Sequence, residues 1–331
     1  MKRLLLLAAI AGALLLGWTY WSLWAGSGPS TEAKTVIVEQ GSSVAQVADQ
    51  LSREGLIRAD PTTYRRLARV LGSSAPVQAG EFEIPAGASA SAILGILQHG
   101  RPVQRLVTIP EGMPSVLVHE RVMAAPHLVG AAPVPEEGSV LPNSYAYRRG
   151  EARTAVLERM QRAMREELAR LWARRSPNSV VSSPREAVIL ASIVEKETGK
   201  PSERRMIAGV YSNRVRRGMK LDADPTIIYP ITQGRPLGRP IRRSEIDAVN
   251  GYNTYTRVGL PVGPIANPGR ESIAAVLDPE PTEALYFVAD GTGGHVFSNT
   301  LEEHVRNHQR WREIRAQREQ QQAQQQPQQP R

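Results

Sequence analysis

The chain has 331 residues, of which 41% are hydrophobic, so it can build a sizeable core and more than one domain, and general disorder is excluded. It has no cysteine, which excludes disulfides, thiolate nucleophiles and cysteine metal sites. Its net charge of +9 admits nucleic acid, anionic lipid or an acidic wall polymer as a partner. No basic run is interleaved with aromatic residues, which argues against nucleic acid.

The N-terminal segment predicts a membrane anchor. Residues 1–3 include Lys2 and Arg3 and are expected to be cytoplasmic, and the uncharged stretch 4–26 is long enough to span a bilayer core. Its aromatic residues cluster toward the far end, where amphipathic rings favour the membrane interface. The alternative is a cleaved signal peptide. Residues 27–34 are then a short tether, and everything beyond is expected outside the cytoplasm.

Residues 35–100 predict a small α+β subdomain in the order strand, helix, helix, strand, helix. Ser43 and Asp60 are the expected N-caps of its first two helices. A weak internal repeat of a strand end, a glycine turn and a helix start centres on Gly41, Gly87 and Gly112. The subdomain resembles the LysM-type peptidoglycan-binding module, and glycan binding and a scaffolding role both remain open for it.

The rest of the chain divides by composition into three parts. Residues 101–180 are a connector with helical segments, of which 152–174 is the clearest amphipathic helix. Residues 181–311 carry the densest pattern and are the predicted catalytic domain, and the Gln-rich tail 312–331 is predicted to be disordered. The predicted fold class is therefore α+β: an N-terminal transmembrane helix, a small LysM-like subdomain and a mixed α+β catalytic domain.

One carboxylate lies at the end of a predicted buried helix. Ser183 and Pro184 start this helix, and residues 187–194 are apolar except for one serine. Glu195 follows on the last turn, where burial and the negative end of the helix both disfavour its charged form, as a general acid at neutral pH requires. It shares a stripe of small residues that would leave room for a ligand, whereas Glu197 lies about 160° away. Glu195 is the predicted catalytic acid/base and is not expected to face Glu197; a merely charged helix end is the alternative.

Loops rich in Gly, Pro, Tyr, Asn and Thr follow this helix and predict a rigid cleft for a sugar, which needs aromatic faces and many hydrogen bonds. A polar turn is predicted at residues 222–229. The candidate substrate-binding residues are Asn213, Asp224, Thr226, Tyr252, Asn253, Thr254, Tyr255, Asn267 and His295. A structural role is the alternative for His295. His304 and His308 are interpreted as part of a solvated helix face, so no metal or cofactor is predicted.

Short motifs follow one another along this region at residues 191–198, 213–214, 224–226, 252–255, 259–261, 264–265, 267–269, 286–289 and 294–295. In this order they resemble the motifs of the endolytic murein transglycosylase (YceG-like) family. The resemblance extends from the membrane segment to about residue 304. It implies a single-pass inner-membrane protein whose partners are peptidoglycan glycan strands, the membrane and cell-wall synthases. One departure is Asn143, which stands where the family usually has Asp and puts an acidic role at that position in question.

The resemblance further implies a reaction and a catalytic residue. Nascent strands would be cleaved between N-acetylmuramic acid and N-acetylglucosamine, leaving a 1,6-anhydro end, to terminate strand elongation in wall biogenesis. The family's catalytic glutamate falls on Glu195. One carboxyl group suffices if it protonates the glycosidic oxygen and then deprotonates the muramyl C6 hydroxyl, which attacks C1 from within the substrate. The alternatives are a muramidase that uses Glu195 with Asp224 as second carboxylate, and a non-catalytic wall-binding or division scaffold.

Overall fold

The computed structural model describes the backbone of residues 2–325 and the side chains of residues 6, 7 and 9–318. The fold is α+β, and it divides into two compact units. Unit 1 comprises Met1–Arg105 with Ala146–Glu151, and unit 2 comprises Leu106–Tyr145 with Ala152–Arg331. Most of the predicted connector, 106–145 and 152–180, therefore belongs to the same unit as the predicted catalytic domain.

Unit 1 follows the predicted order of strands and helices. Its elements are α1 (Lys2–Trp24), β1 (Lys34–Val38), α2 (Val44–Arg53), α3 (Pro61–Leu71), β2 (Gly80–Ile84) and α4 (Ala90–His99). Strands β1 and β2 pair antiparallel, with Val36 opposite Phe82. The side chain of Ser43 caps α2 in a capping box and that of Asp60 caps α3, so both predicted N-caps are confirmed.

The first helix differs from its prediction. Helix α1 forms over most of the predicted span, but among the residues that the structure describes no helix has the length and apolarity to cross a membrane. The predicted transmembrane helix is therefore not supported. Its last residue, Trp24, is buried in the core of unit 1, where its ring lies 5.9 Å from that of Tyr64.

Unit 2 is mainly helical. Its elements are β3 (Arg105–Ile109), α5 (Ser115–Ala124), β4 (Asn143–Tyr147), α6 (Arg153–Trp172), α7 (Pro184–Glu197), a 3-10 turn (Pro201–Glu203), α8 (Arg204–Arg216), α9 (Pro225–Thr232), α10 (Arg243–Ile246), α11 (Arg270–Leu277), β5 (Tyr286–Ala289), β6 (His295–Ser298) and α12 (Leu301–Gln325). The division between the units falls within β3 and β4, which pair with each other. Strands β5 and β6 form an antiparallel hairpin.

Helix α7 is the central element of unit 2. All eight residues from Ala187 to Val194 are buried, and α6, α8 and α11 pack around them. Because the helix is covered on every side, its sequence can be apolar all round, as predicted. The side chain of Ser183 accepts a hydrogen bond from the Glu186 N–H, so the predicted N-cap is confirmed.

The glycine repeat is confirmed at all three positions. Gly41, Gly87 and Gly112 each have a positive φ, of 84°, 68° and 70°, and each lies between the end of a strand and the start of a helix. A left-handed backbone of this kind favours glycine because it has no Cβ.

Two other predictions are wrong in part. The predicted polar turn at 222–229 contains the start of α9, because Pro225 occupies the first helical position, where its missing N–H costs nothing. The predicted disordered tail is helical through 312–325, where Gln, Arg, Glu and Ala are good helix formers. Residues 326–331 lie outside the described residues.

Candidate active site

Glu195 lies at the last turn of α7 with its side chain only 5% exposed. Its Oε2 accepts a hydrogen bond of 2.8 Å from the backbone N–H of Gly269, the N-cap residue of α11. Its Oε1 lies 3.4 Å from Nη2 of Arg204, the first residue of α8. The carboxyl group is thus dry, as predicted, but it meets the positive end of a second helix and a guanidinium. Both stabilise the ionised carboxylate and oppose the effects on which the prediction rests.

A second carboxylate shares the same arginine. Glu111, two residues beyond β3, accepts a hydrogen bond of 2.8 Å at Oε2 from Nη2 of Arg204. Its side chain is 43% exposed, and that of Arg204 is 14% exposed. Arg204 therefore lies between Glu111 and Glu195. Sequence reasoning missed both Glu111 and Arg204, because the pairs they form join residues 93 and 9 positions apart.

Two glycines make this close approach possible. A Cβ at Gly112 would lie 3.3 Å from Cγ of Glu195, and one at Gly269 would lie 2.1 Å from Oε1 of Glu111. The backbone N–H of Gly112 also donates to the carbonyl of Asn267, which fixes the loop after β3 against the loop before α11. The motif at 267–269 therefore shapes the site through its backbone.

The stripe of small residues beside Glu195 is not open. Ala191 and Ser192 are completely buried, and the Ser192 hydroxyl accepts a hydrogen bond of 3.1 Å from the Ile265 N–H. A Cβ on Gly138 would lie 2.7 Å from both Val188 and Pro264. The expectation that this stripe leaves room for a ligand is wrong, because the loops around Gly138 and Ile265 fill it.

Glu197 points to a different set of partners. Burial raises the pKa of Glu197 to about 7, and the nearby charge of Asp224 adds to this rise, while a hydrogen bond from Tyr211 and the charge of Arg214 lower it. Its Oε1 is buried and, among the described residues, has no hydrogen-bond partner. The two glutamates thus contact different groups, in agreement with the prediction that they do not face each other.

Asp224 and Tyr255 form a hydrogen-bonded pair. The Tyr255 hydroxyl donates to Oδ1 of Asp224 over 2.7 Å, and the Asp224 side chain is exposed at the start of α9. Burial, followed by the hydrogen bond and the charge of Asp224, raises the pKa of Tyr255. Since the charge of Asp224 also acts on Glu197, this pair lies on the Glu197 side of the end of α7.

Four predicted substrate-binding residues are fully buried: Thr226, Asn253, Thr254 and Asn267. The Asn253 amide donates to the carbonyls of Ile246 and Ala248, and the hydroxyls of Thr226 and Thr254 lie 2.9 Å apart. The Asn267 amide accepts from the Val140 N–H at 2.9 Å and donates to the Met113 carbonyl at 2.9 Å. These side chains hold the loops in place, and their contact with a substrate stays a prediction.

Of the remaining predicted residues, Asn213 and His295 make hydrogen bonds within the fold, and Tyr252 has a partly exposed ring. The Asn213 amide donates to the carbonyls of Thr282 and Ala284, at 2.7 and 3.0 Å. Both oxygens of the Glu203 carboxylate contact His295. Oε2 lies 2.7 Å from Nδ1 of the ring, and Oε1 accepts a hydrogen bond of 3.1 Å from the backbone N–H. The half-buried Tyr252 ring lies 4.9 Å from that of Tyr229. His295 thus has the contacts of a structural histidine.

The class of site is defined by a buried glutamate, which lies at the end of a buried helix in a mixed α+β unit. An arginine and the N-terminus of a second helix bind its carboxyl group. A family model described as YceG-like matches residues 36–310 of this chain. The match covers most of its length, and the chain therefore belongs to the YceG-like family.

Comparisons with individual proteins agree with this assignment. The endolytic murein transglycosylase of Streptococcus pneumoniae is 28% identical over 323 residues, which cover 82% of this chain and 57% of that protein. The endolytic murein transglycosylase of Bacillus subtilis is 40% identical over 123 residues, or 37% of this chain and 33% of that protein. The chain thus spans little more than half the length of the streptococcal relative.

A solved structure shares the fold. The crystal structure of a YceG-like protein from Listeria monocytogenes matches with a TM-score of 0.51 at 25% identity, covering 84% of this chain and 99% of that chain.

Proposed function

We propose that this protein is an endolytic peptidoglycan lytic transglycosylase, a lyase that cleaves nascent glycan strands between N-acetylmuramic acid and N-acetylglucosamine. The observation that carries the proposal is the carboxyl group of Glu195, which is 5% exposed and held by the Gly269 N–H and by Arg204. The relatives from Streptococcus pneumoniae and Bacillus subtilis are both named endolytic murein transglycosylase, which supports the same activity. Cleavage would leave 1,6-anhydro ends and terminate strand elongation during wall biogenesis.

The reaction can proceed with one carboxyl group. Protonated Glu195 donates its proton to the glycosidic oxygen, and the bond from that oxygen to the muramyl C1 breaks. The Glu195 carboxylate then takes the proton of the C6 hydroxyl, whose oxygen forms the new bond to C1, so that the enzyme is restored and no water is consumed. The Gly269 N–H and Arg204 stabilise the carboxylate between the two steps. Tyr252 and Tyr255 have partly exposed rings on which a sugar can stack.

Replacement of Glu195 by Gln tests this proposal. Glu195→Gln keeps the shape of the side chain but cannot carry the proton, and we expect strand cleavage by the purified chain to fall by about 100-fold or more. Glu120→Gln, an exposed residue paired with Arg235, is the matched control and should cleave normally. Unchanged activity of a folded Glu195→Gln variant would contradict the assignment. Failure of the unmodified chain to cleave strands would favour the non-catalytic scaffold.

A two-carboxylate hydrolase is the second candidate, because a second acidic side chain lies close to Glu195. Oε2 of Glu111 and Oε1 of Glu195 lie 2.8 and 3.4 Å from the same Nη2 atom, which allows the separation that glycosidases use. Asp224, predicted for this role, instead binds Tyr255. A hydrolase would leave reducing ends in place of anhydro ends.

We further propose that the protein acts at the periplasmic face of the inner membrane, with the membrane, glycan strands and cell-wall synthases as partners. Support comes from the exposed apolar side chains of α1: Leu6, Leu7, Ile10, Leu14, Leu15, Leu16, Trp18, Tyr20 and Trp21. Fractionation of cells that express the full chain should recover it with membranes. Recovery in the soluble fraction would contradict this location.

The LysM-like reading of unit 1 is also part of the proposal. It is supported by the order β1, α2, α3, β2 with antiparallel strand pairing. A groove of about 550 Å³ lies beside α3, and its lining includes five residues with hydrogen-bond donors in their side chains: Ser43, Thr62, Arg65, Arg66 and Arg69. Such donors suit a polar wall polymer.

A further inference from the structure

Arg204 contacts two carboxylates through a single nitrogen. Its Nη2 lies 2.8 Å from Oε2 of Glu111 and 3.4 Å from Oε1 of Glu195. The closer and better hydrogen bond is therefore the one to Glu111, the more exposed of the two acids. The Nε of Arg204 is buried and, in the described part of the chain, has no hydrogen-bond partner. The arginine is thus bound at one end only.

This arrangement bears on how a general acid can work here. Glu195 must carry a proton before it can donate one. The groups that face it are the Arg204 guanidinium from α8 and the Gly269 N–H from α11, while Lys196 follows it on its own helix. Two of these groups carry a positive charge, and the third donates a hydrogen bond to the carboxyl group. A negative charge close to Arg204 would offset part of the positive charge around Glu195.

Glu111 is placed to do so. Its carboxylate shares the Nη2 atom of Arg204 with Glu195, and its contact with that atom is the shorter one. Gly269 leaves space for it, since a Cβ there would meet Oε1, Cδ and Cγ of Glu111 at 2.1, 2.5 and 2.8 Å. The same glycine donates its N–H to Glu195. One backbone position thus brings both carboxylates to Arg204.

We infer that Glu111 is a positioning residue, which draws Arg204 toward itself and weakens the contact of Arg204 with Glu195, so that Glu195 can take up a proton before each cleavage. This inference rests on the transglycosylase function proposed above. Once Glu195 has given its proton to the glycosidic oxygen, the new carboxylate competes with Glu111 for the same Nη2 and is stabilised until it deprotonates the C6 hydroxyl. Arg204 thus moves between two acids according to which step is under way.

The test is a charge-compensation experiment on the full chain. The pH dependence of kcat/KM for cleavage of glycan strands is measured for the unmodified chain, Glu111→Gln, Arg204→Gln and the double variant. Glu111→Gln frees Arg204 to bind Glu195, so the rate at neutral pH should fall on the order of tenfold and the optimum should move to lower pH. In the double variant the competing cation is gone, and the rate should recover above that of Glu111→Gln.

Control variants distinguish an effect on the contact between Arg204 and Glu195 from a loss of folding or of the proposed activity. Thermal unfolding of each variant checks the fold, and Glu111→Asp, which keeps the charge, should retain the optimum of the unmodified chain even if Glu111→Gln does not fold. Glu120→Gln removes an exposed pair with Arg235 and should change neither rate nor optimum.

Three results would overturn the inference while the function stands: a Glu111→Gln profile like that of the unmodified chain, a double variant slower than Glu111→Gln, or a Glu111→Asp optimum shifted to lower pH. They apply when the unmodified chain cleaves strands and Glu195→Gln does not. If the unmodified chain itself is inactive, the proposed function fails first.

Discussion

Among single residues, Glu197 is expected to control the pH dependence of stability. Its pKa of about 7 in the folded protein lies above the ordinary value of 4.5, chiefly because the side chain is buried. Between these values the folded state binds more protons than the unfolded state, so the free energy of unfolding should fall as pH rises from about 4.5 to 7 and then stay low. The stabilising contribution is complete only below this range.

Glu197→Gln should remove that dependence, because the amide keeps an oxygen for Tyr211 but cannot ionise. At pH 8 the variant should be more stable than the unmodified chain by up to about 3 kcal/mol, whereas at pH 4.5 the two should be similar. Urea unfolding at both pH values measures this. Glu283→Gln, at an exposed position, is the control and should follow the unmodified chain. An equal pH dependence in both variants would show that Glu197 titrates normally.

The residue pattern predicts Glu195 as the catalytic acid but does not predict its partners. The helical wheel separates Glu195 from Glu197 because both lie on one regular helix, where 100° per residue fixes their directions. The contacts of Arg204 depend instead on how the loop after β3 packs against the start of α8. The periodicity of a single helix does not predict such a contact. The prediction also counted only the dipole of α7, while the N-terminus of α11 contacts the same carboxylate.

At the scale of elements, the loop before α11 depends on Asn267. Its amide is completely buried and joins Val140, Met113 and Ser115. Asn267→Ala would leave the Val140 N–H and the Met113 carbonyl without these bonds, so we expect a loss of about 2–3 kcal/mol in the free energy of unfolding. Cleavage should also slow, because Gly269, two residues on, donates its N–H to Glu195.

Denaturant unfolding and strand-cleavage rates of Asn267→Ala measure both effects. Asn178→Ala, at an exposed position, is the matched control and should change neither. A stable Asn267→Ala variant with normal activity would mean that this network does not hold the site.

Elements with a local signal could be predicted. The caps Ser43, Asp60 and Ser183 and the turns at Gly41 and Gly112 each act within a few residues, so the sequence is sufficient to place them. Helix α9 and the helical tail do not follow from composition, because Pro225 can start a helix within a polar segment and a Gln-rich segment can continue one.

At the scale of the whole molecule, the division into units was harder to predict than the elements. The predicted connector joins unit 2 through contacts such as that between Asn267 and Glu137, which are 130 residues apart. Composition changes along the chain do not report contacts of this kind. The strand and helix order of unit 1 is easier to predict, because it is continuous from residue 34 to residue 99.

The groove of unit 1 gives a prediction for the full chain. Replacing Arg65, Arg66 and Arg69 with Gln should weaken retention on insoluble peptidoglycan by roughly an order of magnitude at low salt, and by less at high salt, because exposed charges are screened. Cleavage of short soluble strands should be unaffected. The same change at Arg306, Arg310 and Arg312, exposed on α12, is the charge-matched control. Equal retention of both variants would favour the scaffolding role of unit 1.

The central claim is that Glu195 drives an internal attack by the muramyl C6 hydroxyl. Mass spectrometry of glycan strands digested in water enriched in heavy oxygen tests it most directly. The account predicts new muramyl ends that are one water lighter than reducing ends and contain no heavy oxygen. Reducing ends that carry the heavy isotope would contradict it and would identify a hydrolase.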